Sequence, residues 1–254
     1  MQIGCCAPID RAAEVHAAGF DYLEAGVVSL IPDQDDEAFA PVLATYQASP
    51  LPVRAFNLFL PRDLKIVGPE VDEERMKRYA KRAVARIRQI GATRAVFGSG
   101  GSRNIPDDFP RDEAVKQIVH FLNVVADEAD GTEVVIAIEP LNRRESNIIN
   151  SVAEGVEIAR QVNRPSIRVL ADFYHMDEEN EPLSHLSEYK DWLAHIHVAD
   201  MGRLAPGTGQ YPYQEFADGL RQAGYDGLVS VECRWNDFAA EAPGAVAFLR
   251  RVLG

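Results

Sequence analysis

The 254-residue sequence predicts a single α/β domain, a closed (β/α)8 barrel over residues 1–254, and three observations lead there. Eight short apolar runs recur along the chain. Amphipathic stretches of helical character lie between them in strict alternation, the pattern of a parallel sheet with crossover helices. No linker or low-complexity block divides the chain. An open doubly wound sheet is the competing reading. The count of eight and the lack of a dinucleotide fingerprint after the first run favour the barrel.

In order, the predicted strands are 1–7 (MQIGCCA), 20–25 (FDYLEA), 53–58 (VRAFNL), 94–98 (RAVFG), 134–139 (VVIAIE), 167–172 (IRVLAD), 193–198 (LAHIHV) and 228–233 (LVSVEC). Each is short and apolar at nearly every position, as strands covered on both faces are. The predicted helices are 10–18, 36–47, 72–90, 111–129, 151–162, 183–190, 213–223 and 238–252. The 72–90 helix has the clearest ends. It opens on Asp72, Glu73 and Glu74, carries basic residues toward its end and stops at Gly91, in keeping with the helix dipole and a glycine C-cap.

Composition narrows the function. A formal charge of −13 argues against duplex nucleic acid held through its phosphates and against anionic lipid. Three cysteines (Cys5, Cys6, Cys233) cannot staple a secreted chain of this size, so a reducing, cytoplasmic setting is expected. The start, MQIGCCAPID, has neither a basic n-region nor a long apolar run, so no signal peptide is expected. No apolar run is long enough for a membrane span.

A barrel collects its catalytic groups at the C-terminal ends of its strands. Four successive predicted strands end in polar residues: Glu139, Asp172, His197 (with His195 two residues earlier) and Glu232. A carboxylate inside VVIAIEP or LVSVEC is costly to bury unless it is paired or bound to a metal. Three oxygen donors and one nitrogen donor suit a hard or borderline divalent ion: Mn2+, Mg2+ or Co2+, with Zn2+ as a further candidate. His195 and His197 share a face of the strand, and proximity to the tip favours His197 as ligand and His195 as a core or supporting imidazole. Glu24, at the end of the second strand, is a candidate for a substrate hydroxyl. GSGGSR at 98–103 reads as a flexible loop at the mouth, with a phosphate cradle completed by Arg103 as the alternative. The acidic runs 33–37 and 177–181 read as solvated loops, the second near the mouth. The cysteines read as small apolar fillers, and Trp192 and Trp235 as core or mouth residues.

In these residues the sequence resembles the xylose isomerase-like TIM-barrel sugar isomerases and epimerases, most nearly the ketose 3-epimerases of the D-tagatose and D-psicose type. The resemblance rests on IEPLNRRESNIIN (138–150), LADFYHM (170–176), HIHVADMGRLAPGTGQYPY (195–213) and GYDGLVSVE (224–232), with GFDYLEAG (19–26) as a weaker match. It implies that Glu139, Asp172, His197 and Glu232 hold one divalent metal, Mn2+ first among candidates, and that Glu139 and Glu232 are also the acid/base pair. It also implies that Glu145, His175 and Arg203 bind the substrate, a small ketose or related sugar that is free or phosphorylated. A homodimer is the usual assembly in such proteins. Three features depart from the pattern: Phe173 where Thr or Ser is more usual, the glycine-rich 98–103 segment, and Cys5-Cys6 where aromatic residues are common.

The chemistry explains the residue types. A proton α to a ketone is too weakly acidic for a carboxylate alone at neutral pH, and a divalent ion on the carbonyl oxygen stabilises the enediolate. Epimerisation needs one group to take the proton from one face and another to return it on the opposite face. Isomerisation returns it to the neighbouring carbon. The alternative reading on the same barrel is a lyase of the inosose or dehydroshikimate dehydratase type, in which the enolate expels a β-hydroxyl. Phosphodiester hydrolysis with several metals would need many more His and acidic ligands, and six histidines with a charge of −13 argue against it. A sugar-binding barrel without activity would have no use for the acid/base pair.

Overall fold

The computed structural model describes residues 1–254. Strands β1 (Gln2–Cys6), β2 (Tyr22–Gly26), β3 (Val53–Asn57), β4 (Arg94–Phe97), β5 (Val135–Ile138), β6 (Ile167–Asp172), β7 (Leu193–Val198) and β8 (Leu228–Val231) form a closed barrel in chain order. The ring shuts where β1 pairs in parallel with β8, Gln2 opposite Leu228 and Cys5 opposite Val231. The helices are α1 (Ala12–Ala17), α2 (Asp36–Gln47), α3 (Glu73–Ile90), α4 (Gly100–Arg103), α5 (Arg111–Ala129), α6 (Val152–Val162), α7 (Phe173–Glu178), α8 (Ser184–Glu188), α9 (Tyr213–Ala223) and α10 (Phe238–Leu253).

Each of the eight strands lies at its predicted run, with β2 extending one residue further, to Gly26. Helix α3 ends as its sequence foretells: the Asp72 carboxylate accepts from the Arg75 amide at 3.0 Å, and Gly91 closes the helix at φ 89°. The predicted 183–190 helix is only the five-residue α8, followed by a 3-10 turn at Lys190–Trp192. Two short helices, α4 and α7, were not expected. A helix this short has little periodicity to detect, and α7 is held by an N-cap that is itself the last residue of β6. The Asp172 carboxylate accepts from the amides of Tyr174 (2.8 Å) and His175 (3.3 Å).

Apolar side chains fill the layer between sheet and helices. Phe121 of α5 packs against both Phe59 (ring centroids 6.1 Å apart) and Phe97 (5.2 Å). Phe173 is also buried and stacks on Phe216 of α9 at 4.2 Å and 15°. That packing accounts for an aromatic residue directly after Asp172. The barrel interior is divided. Val96, Ala137 and Leu170 form a small dry cluster, while Tyr22, Glu24, His195 and Ser230 place polar atoms in the buried centre. The Tyr22 ring occupies the space over Gly4, where a Cβ would lie 2.2 Å from the ring. Glycine at position 4 therefore makes room for a tyrosine in the polar half.

No helix is long and apolar enough to cross a membrane. The two acidic runs are more firmly tied than solvated loops would be. Asp35 caps α2, and Asp33 and Asp36 pair with Arg75 and Arg86. In the second run, Glu178 and Glu179 pair with Arg144 and Arg143, and Glu181 accepts from the Val152 amide and pairs with His185. The second run thus fastens the segment after β6 to the segment after β5. Trp192 lies just before β7, beneath Arg168 of β6, at the end of the barrel away from the mouth.

Candidate active site

Strand parity brings the polar strand ends together. Asp172 sits opposite His197, and His197 opposite Ser230, so Asp172, His197 and the residue two beyond Ser230, Glu232, point inward at the C-terminal rim. Glu139 follows β5 directly. One donor atom from each of Glu139, Asp172, His197 and Glu232 lies within 4.8 Å of the others. His197 Nδ1 is 3.3 Å from Glu139 Oε1 and 3.6 Å from Glu232 Oε2. The four residues singled out in the sequence therefore share one pocket at the mouth.

Glu139 and Glu232 repel one another at this spacing, and their surroundings separate them. Burial lifts the Glu139 carboxyl above its ordinary range, and neighbouring Glu232 adds to the effect against the pull of His197. Burial acts on Glu232 in the same direction, but His197 and the Arg203 guanidinium outweigh it and hold that carboxyl down at about 2. Burial alone would make His197 less basic. Glu24 on its far side, with further help from Cys6 and Glu139, more than reverses this and keeps it protonated well above the ordinary histidine range.

Close packing fixes Glu139. A Cβ on Gly98 would lie 2.1 Å from Glu139 Oε2, so only glycine leaves room for the carboxylate in this position. The glycine-rich segment around it is not a flexible loop. It turns into α4 and buries Arg103, which donates to the carbonyls of Phe97 (2.9 Å) and Glu139 (2.8 Å). Arg103 is thus committed to backbone and cannot serve a phosphate. It pins the β4 and β5 ends that carry Gly98 and Glu139.

Arg203, Glu145 and His175 border the same pocket. Arg203 is ion-paired to Glu232, lies 3.1 Å from Glu145 Oε1 and sits over the Tyr174 ring at 5.1 Å. Its loop folds around Asp200, whose carboxylate accepts from the amides of Met201 (2.9 Å) and Gly207 (2.9 Å). A Cβ at Gly209 would meet that carboxylate at 2.2 Å, which accounts for the second glycine of GTG. Arg203 itself adopts φ 62°, and its carbonyl accepts from the Arg234 amide, so the β7 and β8 loops are joined beside the pocket. His175 Nδ1 is 3.2 Å from the Asn142 amide nitrogen and 2.9 Å from its Nδ2. With Nδ1 accepting, the ring proton is on Nε2. Nε2 is buried, has no hydrogen-bond partner, and lies 3.8 Å from Asp172 Oδ2. It is a donor on the side of the Asp172 carboxylate.

Several residues had a part that the sequence reading missed. Asn57, the last residue of β3, donates to Glu232 Oε1 at 3.0 Å. A polar residue ending an apolar strand was the available signal. Asn142 gave no signal of its own, and Gly98 was legible only as part of the glycine-rich 98–103 segment. Glu24 does not face a substrate. It is fully buried beneath the pocket, 2.9 Å from His197 Nε2 and 2.7 Å from His195 Nε2. His195 takes the expected supporting place. Cys6, at the end of β1, lies within 4.8 Å of Glu24 and His197 donor atoms.

Comparison with known proteins follows the same line. The profile of the xylose isomerase-like TIM barrel family matches residues 12–252. The chain is 29% identical over 195 residues to 3-dehydro-D-guloside 4-epimerase of Escherichia coli, a match covering 72% of this chain and 74% of that protein. It is 32% identical over 115 residues to D-psicose 3-epimerase of Ruminiclostridium cellulolyticum, covering 45% of this chain and only 39% of that relative. A crystal structure of a D-psicose 3-epimerase in the presence of D-fructose superposes over 100% of both chains with a TM-score of 0.87 at 21% identity, a likeness of fold. With a family match across nearly its whole length and the fold to go with it, the chain belongs to the xylose isomerase-like TIM barrel family.

Proposed function

We propose that the protein is an epimerase or isomerase of a ketose or related keto-sugar, working with one divalent cation. The observation that carries this reading is the convergence of Glu139, Asp172, His197 and Glu232 donors within 4.8 Å, two of them glutamates from different strand ends. The donor set fits a cation. Three carboxylates crowd one imidazole, and a buried, unpartnered His175 N–H lies beside Asp172. Mn2+ is the first candidate for an oxygen-rich site with one nitrogen, with Mg2+, Co2+ and Zn2+ behind it. When bound, the ion supplies a Lewis acid for a carbonyl oxygen and its neighbouring hydroxyl.

The chain's own residues do the rest. His175 Nε2–H donates to a substrate oxygen. Arg203, braced by Glu145 and Glu232, orients a second oxygen. One of Glu139 and Glu232 takes the proton from the carbon beside the carbonyl, and the other returns a proton on the opposite face. The roles exchange in the reverse direction. Asn57 keeps the Glu232 carboxylate turned toward the pocket.

The test is a panel of ketoses, ketose phosphates and inososes incubated with the Mn2+-loaded protein in D2O. Deuterium should enter the carbon next to the carbonyl with the substrate's composition otherwise intact. Glu139→Gln and Glu232→Gln should each lower exchange by about 10²–10⁴-fold while leaving the fold unchanged. A product lighter by one water would make the protein a lyase. Wild-type exchange in both variants would remove the two glutamates from the mechanism.

A further inference from the structure

Glu24 is a carboxylate at the centre of the barrel with no access to solvent. Burying it there is costly, and it is fully engaged. Oε1 lies 2.9 Å from His197 Nε2, and Oε2 lies 2.7 Å from His195 Nε2 and accepts from the Ser230 hydroxyl. The Ser230 hydroxyl is in turn 2.7 Å from the Tyr22 hydroxyl. The Tyr22 ring fills the space over Gly4 beside this set.

The two nitrogens of His197 thus face two different sets of acids. Among carboxylates, Nε2 meets Glu24, and Nδ1 meets Glu139 and Glu232 at the pocket. An ionised carboxylate can only accept, so His197 must donate to Glu24 from Nε2. In the neutral ring with Nε2 so engaged, the lone pair stands on Nδ1, toward the pocket. A neutral imidazole without this partner divides its proton between the two nitrogens. It can then present the wrong one.

We infer that Glu24 is a positioning residue that fixes the tautomer and tilt of His197, so that Nδ1 is the nitrogen offered to a divalent cation. The inference rests on the reading that Glu139, Asp172, His197 and Glu232 hold that cation. Glu24 touches neither substrate nor cation and acts through His197. His195, whose Nδ1 is buried and unpartnered, holds the other carboxylate oxygen and keeps Glu24 from rotating off His197. A hydrogen-bonded carboxylate behind a ligating histidine typically governs metal affinity by about 10–100-fold.

The experiment measures Mn2+ binding by equilibrium dialysis and the His197 tautomer by long-range 15N–1H NMR, in wild type, Glu24→Gln and Ser230→Ala. Wild type should bind one Mn2+ and, in the metal-free neutral form, carry its His197 proton on Nε2. Glu24→Gln should bind Mn2+ about 10–100-fold more weakly and show Nδ1–H in a measurable fraction. Ser230→Ala removes one bond to Glu24 without touching His197, and should weaken binding by a smaller factor with the Nε2–H tautomer retained. If Glu24→Gln fails to fold, Ser230→Ala and Glu24→Asp carry the test, and wild-type Mn2+ affinity in both overturns the inference. A role confined to stability would lower the melting temperature of the variants and leave Mn2+ affinity unchanged, which also overturns it. Failure of the wild type to bind Mn2+ would instead remove the cation reading on which this rests.

Discussion

Replacing Gly98 by alanine isolates the placement of Glu139 from the stability of the barrel. Gly98 does not occupy the left-handed region, so alanine fits the backbone there. The added Cβ would lie 2.1 Å from Glu139 Oε2 but 3.2 Å from its Cδ and 3.7 Å from its Cβ, so the conflict is with the carboxylate end alone. To regain an ordinary contact, that oxygen must retreat by roughly 1 Å, a rotation of the side-chain tip rather than a movement of β5. Overpacking of this kind costs about 1–3 kcal/mol, and part is offset by the lower chain entropy of alanine in the unfolded state. Gly98→Ala should therefore fold, with a melting temperature within several degrees of wild type. The displacement falls on a proposed catalytic group, where about 1 Å of misplacement can cost on the order of 10²-fold. Steady-state kinetics on whichever keto-sugar exchanges fastest should show kcat reduced by about that factor, with KM changed much less. Activity within about threefold of wild type would refute the reasoning, since a carboxylate displaced by about 1 Å should cost far more than that. So would a collapse of the fold, because the conflict would then reach beyond the carboxylate tip.

Three further outcomes follow from the same geometry. Asp172 both caps α7 and faces the pocket, so Asp172→Asn, which can still cap, should lose Mn2+ affinity with little change in metal-free stability, while Asp172→Ala should lose about 1 kcal/mol more; thermal melts with and without Mn2+ separate the two. Arg103→Met strips the carbonyls of Phe97 and Glu139 of their donor and should destabilise the protein by about 3 kcal/mol in urea titration, without changing its preference between a ketose and its phosphate. In the metal-free protein Glu139 and His197 both hold their protons above their ordinary ranges, and a cation must displace protons from its ligands. Mn2+ binding should therefore tighten as pH rises between about 6 and 8, with protons released on binding in an unbuffered titration.

The strands and the rim residues could be read from the sequence because both follow strand periodicity. Buried parallel strands are continuous apolar runs, and a charged residue ending such a run stands out, as Glu139, Asp172 and Glu232 do. What lies one layer deeper was harder to place. Glu24 also ends an apolar run, and its direction depends on His195 and His197, which are more than 170 positions away in the chain. The sequence offered Glu24 to a substrate hydroxyl, whereas the barrel buries it under the pocket. Arg103 shows the same gap. In a glycine-rich segment it looks like an anion ligand, and only the fold of α4 turns it onto the strand-end carbonyls. Phe173, where the resemblance implies Thr or Ser, stacks on Phe216 of α9, again distant in sequence. The acidic 177–181 run gives no sign in its composition that Arg143, Arg144 and the Val152 amide await it.

The most direct measurement is anomalous scattering at the manganese edge from crystals soaked in Mn2+. A single strong peak in coordinating contact with Glu139, Asp172, His197 Nδ1 and Glu232 is the predicted result. A pocket without anomalous density at saturating Mn2+, or a peak held by other residues while these four remain paired with one another, would contradict it.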